Sequence, residues 1–139
     1  MPPRIVHSFG GFGRLVALVA CAFGALTIVS GGRVLFGSEA ARAAAGNVVP
    51  FVVWVNFLAG FAYVAAGAGL WLGRRWSVWL AIVIAATTTL VFAALGIHIA
   101  SGGAFEVRTV AAMALRTMLW TAIAMFTWRR LLRDSRRGT

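Results

Sequence analysis

The chain has 139 residues, of which 61% are hydrophobic and 12% are charged, and its mean hydropathy is +0.90. So few charges cannot cover the surface of a soluble domain, and the composition therefore predicts an all-α integral membrane protein. The net charge of +10 comes without a basic helix, a zinc-ligand spacing or an aromatic-basic sheet motif. This argues against nucleic acid as a partner and for membrane topology as the origin of the charge.

Four apolar segments approach or exceed the roughly 20 residues that cross a bilayer as a helix. Their connectors are too short to fold as a soluble domain, and the sequence has no convincing internal repeat. We therefore predict one membrane domain over residues 1–139, a four-transmembrane-helix bundle followed by a basic tail at 129–139. The predicted helices span about 15–36, 48–72, 77–99 and 109–128.

The arginines are shared unevenly between the two ends of this bundle, which predicts its orientation. Nine lie on one side, three lie on the other, and Arg116 lies within the last segment. We therefore expect a bacterial inner-membrane protein with both termini in the cytoplasm and its tail against anionic lipids. Tryptophans at the same side agree, since tryptophan is enriched at membrane interfaces. The nine are Arg4, Arg14, Arg74, Arg75, Arg129, Arg130, Arg133, Arg136 and Arg137; the three are Arg33, Arg42 and Arg108; the tryptophans are Trp71, Trp76, Trp79 and Trp128.

Polar residues lie at one depth in all four segments. Nine residues inward from each outer end is about 13–14 Å along a helix, close to the middle of a hydrocarbon core of about 30 Å. This count reaches Thr27, Asn56 or Phe57, Leu90 beside the run Thr87-Thr88-Thr89, and Arg116. An arginine at that depth costs about 2.5–3.5 kcal/mol unless it is paired or hydrated. We therefore expect Arg116 to face the interior and to hydrogen-bond, directly or through water, with Asn56 or a threonine of 87–89.

Two roles are open for this polar layer. It holds the helices in register, or Arg116 is an unpaired cation that receives an anion or a dipole, such as a quinone carbonyl, a lipid or haem carboxylate, or an acid of a partner subunit. In the second segment Asn56, Gly60, Tyr63 and Gly67 recur at spacings of four, three and four, which is one helical face. The glycines either let helices pack closely or leave room for a flat ligand, and Tyr63 would line the same interior.

A second cluster, formed by His98, Glu106 and Arg108, is predicted at the outer end. His98 is within about 20° of Thr87 on a helical wheel, and Glu106 lies at the start of the fourth helix, where a carboxylate suits the helix dipole. Either Glu106 is an N-terminal cap paired with Arg108 or Arg33 and His98 is an interfacial residue, or His98 and Glu106 carry protons or bind a metal. Two ligands are too few for zinc, so we predict no metal site.

Catalytic residues are not indicated by the sequence. It contains no Ser-His-Asp set, no pair of carboxylates within a predicted helix and no phosphate-binding loop. The single cysteine, Cys21, excludes a dithiol mechanism within one chain. We therefore expect no catalytic site, and the sequence indicates no particular cofactor.

Two sequence patterns carry a resemblance to small four-helix bacterial membrane proteins. One runs from His98 through Gly102-Gly103-Ala104, Glu106 and Arg108-Thr109-Val110 to Arg116, and the other runs from Asn56 to Trp71. The resemblance covers most of residues 15–128 and implies the fold without an activity. In architecture alone the chain is also similar to DoxX-type proteins, some of which accompany quinone-linked oxidoreductases, and a shared architecture does not carry a function.

The combined interpretation is a binding or accessory subunit without catalytic machinery of its own. We expect it to act as a homo-oligomer or within a larger membrane complex. The first alternative is a small transporter or proton-linked carrier whose path passes His98, Asn56 and Arg116. The second alternative is a redox partner that binds quinone or haem.

Overall fold

The computed structural model describes residues 10–137, so Arg4 and the last two residues of the predicted tail lie outside the described range. Within that range the chain forms five α-helices and no strand: α1 (Gly11–Phe36), α2 (Glu39–Ala45), α3 (Pro50–Trp71), α4 (Arg75–Ala100) and α5 (Val107–Arg137). The four long helices are each long and apolar enough to cross a membrane. They correspond to the four predicted segments, and the prediction of an all-α fold with four such helices is confirmed.

The short helix α2 lies within the first predicted connector. Its signals are present in the sequence: Ser38 caps it by accepting a hydrogen bond from the Ala41 amide at 3.3 Å, and an alanine-rich stretch follows. Gly46 ends it with φ at 73°, a conformation that glycine adopts without a steric penalty. Seven residues are too few to cross a bilayer, so α2 adds a cap to the bundle and leaves the number of spans at four.

The basic tail continues α5 as helix as far as Arg137. No glycine or proline occurs between Val107 and Arg137, so nothing in the sequence ends the helix where the apolar span ends. Most of the predicted tail is therefore an extension of the last helix.

The closest helix contact joins α1 to α3 through small residues. A Cβ atom added at Gly24 would lie 2.8 Å from the Gly60 carbonyl oxygen, and one added at Gly67 would lie 2.9 Å from the Ala17 carbonyl oxygen. The Cys21 thiol faces the Val64 carbonyl oxygen across the same contact at 3.7 Å. Of the two roles expected for the α3 glycines, close packing is therefore the one the structure shows.

The remaining helices follow in the order α1, α3, α4, α5, each packed on the next. One cluster of buried side chains fills the interior from Trp120 to the end of the bundle away from α2. A smaller cluster, which includes Leu95 and Met113, lies towards α2. Between α1 and α5, Phe12 and Phe126 meet edge to face at 5.1 Å between ring centroids, at the end opposite α2. Towards α2 the two helices diverge and leave a cleft.

The glycine contact generates a matched pair of substitutions. Gly24→Ala places a methyl group against backbone, which we expect to cost about 1–3 kcal/mol through overpacking. Gly96→Ala, on α4, meets no atom within 4 Å and should stabilise its helix by about 0.5–1 kcal/mol. Thermal unfolding in detergent, followed by tryptophan fluorescence, measures both. Equal midpoints for the two variants would contradict the close α1–α3 contact.

Candidate functional site

The cleft is a cavity of about 630 Å³ bounded by α1, α3 and α5, with α2 across its end. This volume is within the range of sites that bind small molecules. Its apolar walls are interrupted by polar side chains, and no aspartate or glutamate is among its lining residues. The polar lining consists of Thr27, Ser30, Arg33, Asn56, Arg108, Thr109 and Arg116.

Arg116 lies at the deep end of the cleft, above a group of three aromatic rings that we call the aromatic floor: Phe23, Tyr63 and Trp120. The guanidinium carbon is 5.7 Å from the centroid of the Phe23 ring. Tyr63 stacks on Phe23 with centroids 6.0 Å apart and packs against Trp120 with centroids 4.7 Å apart. A cation over an aromatic face gains about 0.5–2 kcal/mol, depending on its desolvation. The aromatic floor therefore contacts the flat face of the Arg116 guanidinium group and leaves its N–H donors without hydrogen-bond partners among the described residues.

The Nε atom of Arg116 is buried and has no hydrogen-bond partner. Asn56, its expected partner, donates instead to the Met113 sulfur at 3.3 Å. The buried Thr88 hydroxyl donates to the Ile84 carbonyl at 2.6 Å, within its own helix. Among the described residues, Arg116 therefore forms no direct hydrogen bond with Asn56 or the threonines; the prediction covered a direct or a water-mediated contact.

The predicted polar layer is divided by α3. Thr27, Asn56 and Arg116 line the cleft together, as the depth count predicted. Thr87 and Tyr63 line a separate and largely apolar cavity of about 250 Å³ between α3 and α4. Asn56 borders both cavities, and Tyr63 belongs to the aromatic floor as well as to the smaller cavity, so α3 separates only Thr87 from the residues with which it was expected to share one interior.

Two further arginines lie nearer the α2 end of the cleft. Arg33 is exposed in the last turn of α1, and Arg108 donates from Nη2 to the carbonyl oxygen of Ala44 in α2 at 2.6 Å. In the part of the chain that the structure describes, neither of them nor Arg116 forms an ion pair with a carboxylate. The cleft thus has three cationic groups and no anion to balance them.

His98 and Glu106 have separate partners in the connecting segments. The Glu106 carboxylate accepts a hydrogen bond from the Asn47 amide at 2.8 Å, which ties the α2–α3 connector to the start of α5. His98 Nε2 donates to the Ala104 carbonyl at 3.1 Å, within the α4–α5 connector. Of the predicted outer cluster, Arg108 alone lines the cleft. Over residues 10–137 no group of three or more His, Cys, Asp or Glu side chains is placed to hold a metal.

Two members of the aromatic floor, Phe23 and Trp120, were missed by the sequence analysis, although their spacing was readable. Phe23 precedes Thr27 by four residues, and Trp120 follows Arg116 by four. Residues four apart share a helical face, so both rings belong one turn deeper than the polar layer.

No protein-family model matches this chain, and no curated protein or solved structure matches it either. Function is therefore inferred from the chemistry of the cleft.

The Glu106 contact predicts a local effect on stability. Glu106→Ala removes the acceptor of the Asn47 amide and should cost about 1 kcal/mol, because the contact is partly solvated. Amide hydrogen exchange at Asn47 should accelerate accordingly. Glu106→Gln is the matched control, since its side-chain carbonyl still accepts, and it should stay close to wild type. Unchanged exchange at Asn47 in the alanine variant would show that Glu106 does not hold this connector.

Proposed function

We propose that this chain is a binding or accessory subunit of a bacterial inner membrane whose cleft receives the anionic group of a ligand. The single observation that carries the proposal is Arg116: among the described residues, it shares its cavity with two more arginines and no carboxylate, and its buried Nε has no hydrogen-bond partner. Phosphate and carboxylate groups match the planar fork of a guanidinium, which binds them through two parallel hydrogen bonds.

Electrostatics favour a bound anion at this depth. An arginine in the middle of a bilayer costs about 2.5–3.5 kcal/mol on insertion scales, and the Phe23 contact offsets only part of that cost. An anion placed against the guanidinium offsets the remainder, and the attraction is stronger than in water because the surroundings are apolar. The cleft is therefore most stable when it is occupied.

The alternative that Arg116 only holds the bundle in register has less support. That role needs hydrogen bonds from Arg116 to polar groups on other helices. Asn56 is bonded to Met113, and the buried Thr88 hydroxyl is bonded within α4. The register between α3 and α5 is held by the Asn56–Met113 contact and by the Tyr63–Trp120 pair, without Arg116.

A carrier would need a path past Arg116, and the aromatic floor lies across that path. Phe23, Tyr63 and Trp120 are packed ring against ring directly beyond the cleft, and Tyr63 and Trp120 are fully buried. This arrangement favours binding at the end nearest α2 over passage through the bundle.

The orientation of the cleft follows from the arginine distribution. With both termini in the cytoplasm, α2 and the mouth of the cleft lie on the outer face. Two contacts at the opposite end support this assignment: Arg14 lies 5.7 Å over the Trp71 ring, and Trp79 meets Trp128 at 5.4 Å. Arginine and tryptophan grouped in this way are typical of a cytoplasmic interface.

The α5 extension would then bind anionic lipids, and the subunit would act as a homo-oligomer or in a larger membrane complex.

Replacing Arg116 tests the anion site. The purified protein is melted in neutral detergent with inorganic phosphate, acetate or dihexanoyl phosphatidic acid, with tryptophan fluorescence as the readout. At least one of these anions should raise the midpoint of the wild type by about 3 °C or more near saturation. Arg116→Leu should fold with an unchanged or higher midpoint and lose the response, because an unpaired buried charge has been replaced by an apolar group. Arg116→Lys should also lose it, because a point charge does not reproduce the fork.

The matched control is Arg42→Leu, an exposed arginine of α2 that does not line the cleft. It should keep the full response to the anion. A response of equal size in Arg116→Leu, or no response to any of the anions in the wild type, would remove the basis for an anion site.

Topology is tested by labelling. Ala44 is exposed on α2, so a cysteine placed there in a Cys21→Ser background should react with an impermeant maleimide applied to intact spheroplasts. A fluorescent reporter fused after Thr139 should be active in the cytoplasm. Labelling of the Ala44 position only after the cells are opened would reverse the assigned orientation.

A further inference from the structure

We infer that the ligand of the cleft is a membrane lipid with a small phosphate head, which enters sideways from the bilayer between α1 and α5. This inference rests on the proposed function and adds the ligand class and its route. Four features of the cleft support it: what covers its end, what leaves its side open, which side chains flank the opening, and how its charges are placed.

The end of the cleft that faces water is covered by α2. Ala41, Ala44 and Ala45 form part of the cavity wall. The position of α2 is held by the Arg108 hydrogen bond to the Ala44 carbonyl and by the Glu106 hydrogen bond to the Asn47 amide. A ligand that arrives from the aqueous phase has to pass this cover.

The side of the cleft between α1 and α5 has no such cover. The described contact between these helices at the far end is the Phe12–Phe126 pair, and α1 and α5 are not among the helix pairs that pack closely in the described range. The opening therefore faces hydrocarbon along its length.

Apolar side chains flank this opening at the depth of Arg116. Leu26 precedes Thr27 on α1 and is 68% exposed, and Leu115 precedes Arg116 on α5 and is 54% exposed. A step of one residue turns a helix by about 100°, which places both leucines beside the opening and towards the lipid. Acyl chains can lie against these leucines while the head group is in the cleft.

The arginines are spaced along the route that a head group would take. Arg108 and Arg116 are eight residues apart on α5, about 12 Å along the helix, and Arg33 lies at the Arg108 end. A phosphate monoester carries between one and two negative charges at neutral pH, so it suits several guanidinium groups better than a singly charged carboxylate. Because the chains of a lipid stay in the bilayer, binding transfers only the head group into the cleft.

The test compares the lipid with its soluble counterpart on the intact protein. Wild type, Arg116→Leu and Arg42→Leu are reconstituted into nanodiscs made from a four-to-one mixture of phosphatidylcholine and phosphatidic acid. Each protein is then released from its nanodisc, and native mass spectrometry counts the lipids that it retains. Wild type and Arg42→Leu should retain phosphatidic acid over phosphatidylcholine by about tenfold relative to the bulk mixture, and Arg116→Leu should lose this preference. Melting curves in detergent establish that Arg116→Leu is folded.

A parallel arm adds glycerol 3-phosphate, which carries the same head without chains. We expect no Arg116-dependent shift of the melting midpoint with this compound at concentrations where phosphatidic acid shifts it. If glycerol 3-phosphate binds and the lipid is not enriched, the lipid inference is overturned and the anion site stands. If phosphatidic acid is enriched equally in Arg116→Leu, its retention is non-specific and the lipid inference is again overturned. If neither compound nor the simple anions respond to Arg116, the proposed function falls as well.

Discussion

The close contact between α1 and α3 is the constraint on which the rest of the structure depends. Because Gly24, Gly60 and Gly67 carry no side chain, the two backbones approach to distances that a Cβ atom would prevent, and α1 is drawn towards α3. In the described range α5 packs mainly on α4 at the other edge of the bundle. The α1–α5 side is then left without a closely packed interface. The cleft follows from this unequal distribution of small residues, because helices with uniform side chains would close evenly around a common core.

The unpaired state of Arg116 has the same origin. Helix packing orders the bundle as α1, α3, α4, α5, which places the α4 threonines beyond α3 and directs the Asn56 amide to Met113. Sulfur is a weak acceptor, yet it is the group that α5 presents to Asn56 at that level. The aromatic floor then supports Arg116 without satisfying its donors. A buried donor in that state calls for an explanation, such as a bound ion, ligand or water molecule.

The sequence was sufficient for the four long helices and for part of the site. Hydropathy and length locate the spans within a few residues, and counting inward from their ends named Thr27, Asn56 and Arg116, which line one cavity. The same count pointed to Leu90 beside the threonine run of α4, and Thr87 lines the other cavity, because periodicity identifies the face of a helix and does not say which helix lies opposite. The hydrogen bonds of His98 and Glu106 to backbone atoms were unpredictable for a related reason: connector geometry depends on backbone conformation, which residue type constrains only weakly.

The continuity of α5 has a mechanical consequence. The helix runs for 31 residues without interruption, about 46 Å, so Arg116 and the arginines near position 137 belong to one continuous helix. The two regions are about 32 Å apart along its axis. A tilt of α5 by five degrees about the level of Arg116 displaces its far end by nearly 3 Å by simple trigonometry, roughly the length of a hydrogen bond. Any change in the tilt of α5 at the cleft is thus amplified into a displacement at the opposite end of the helix.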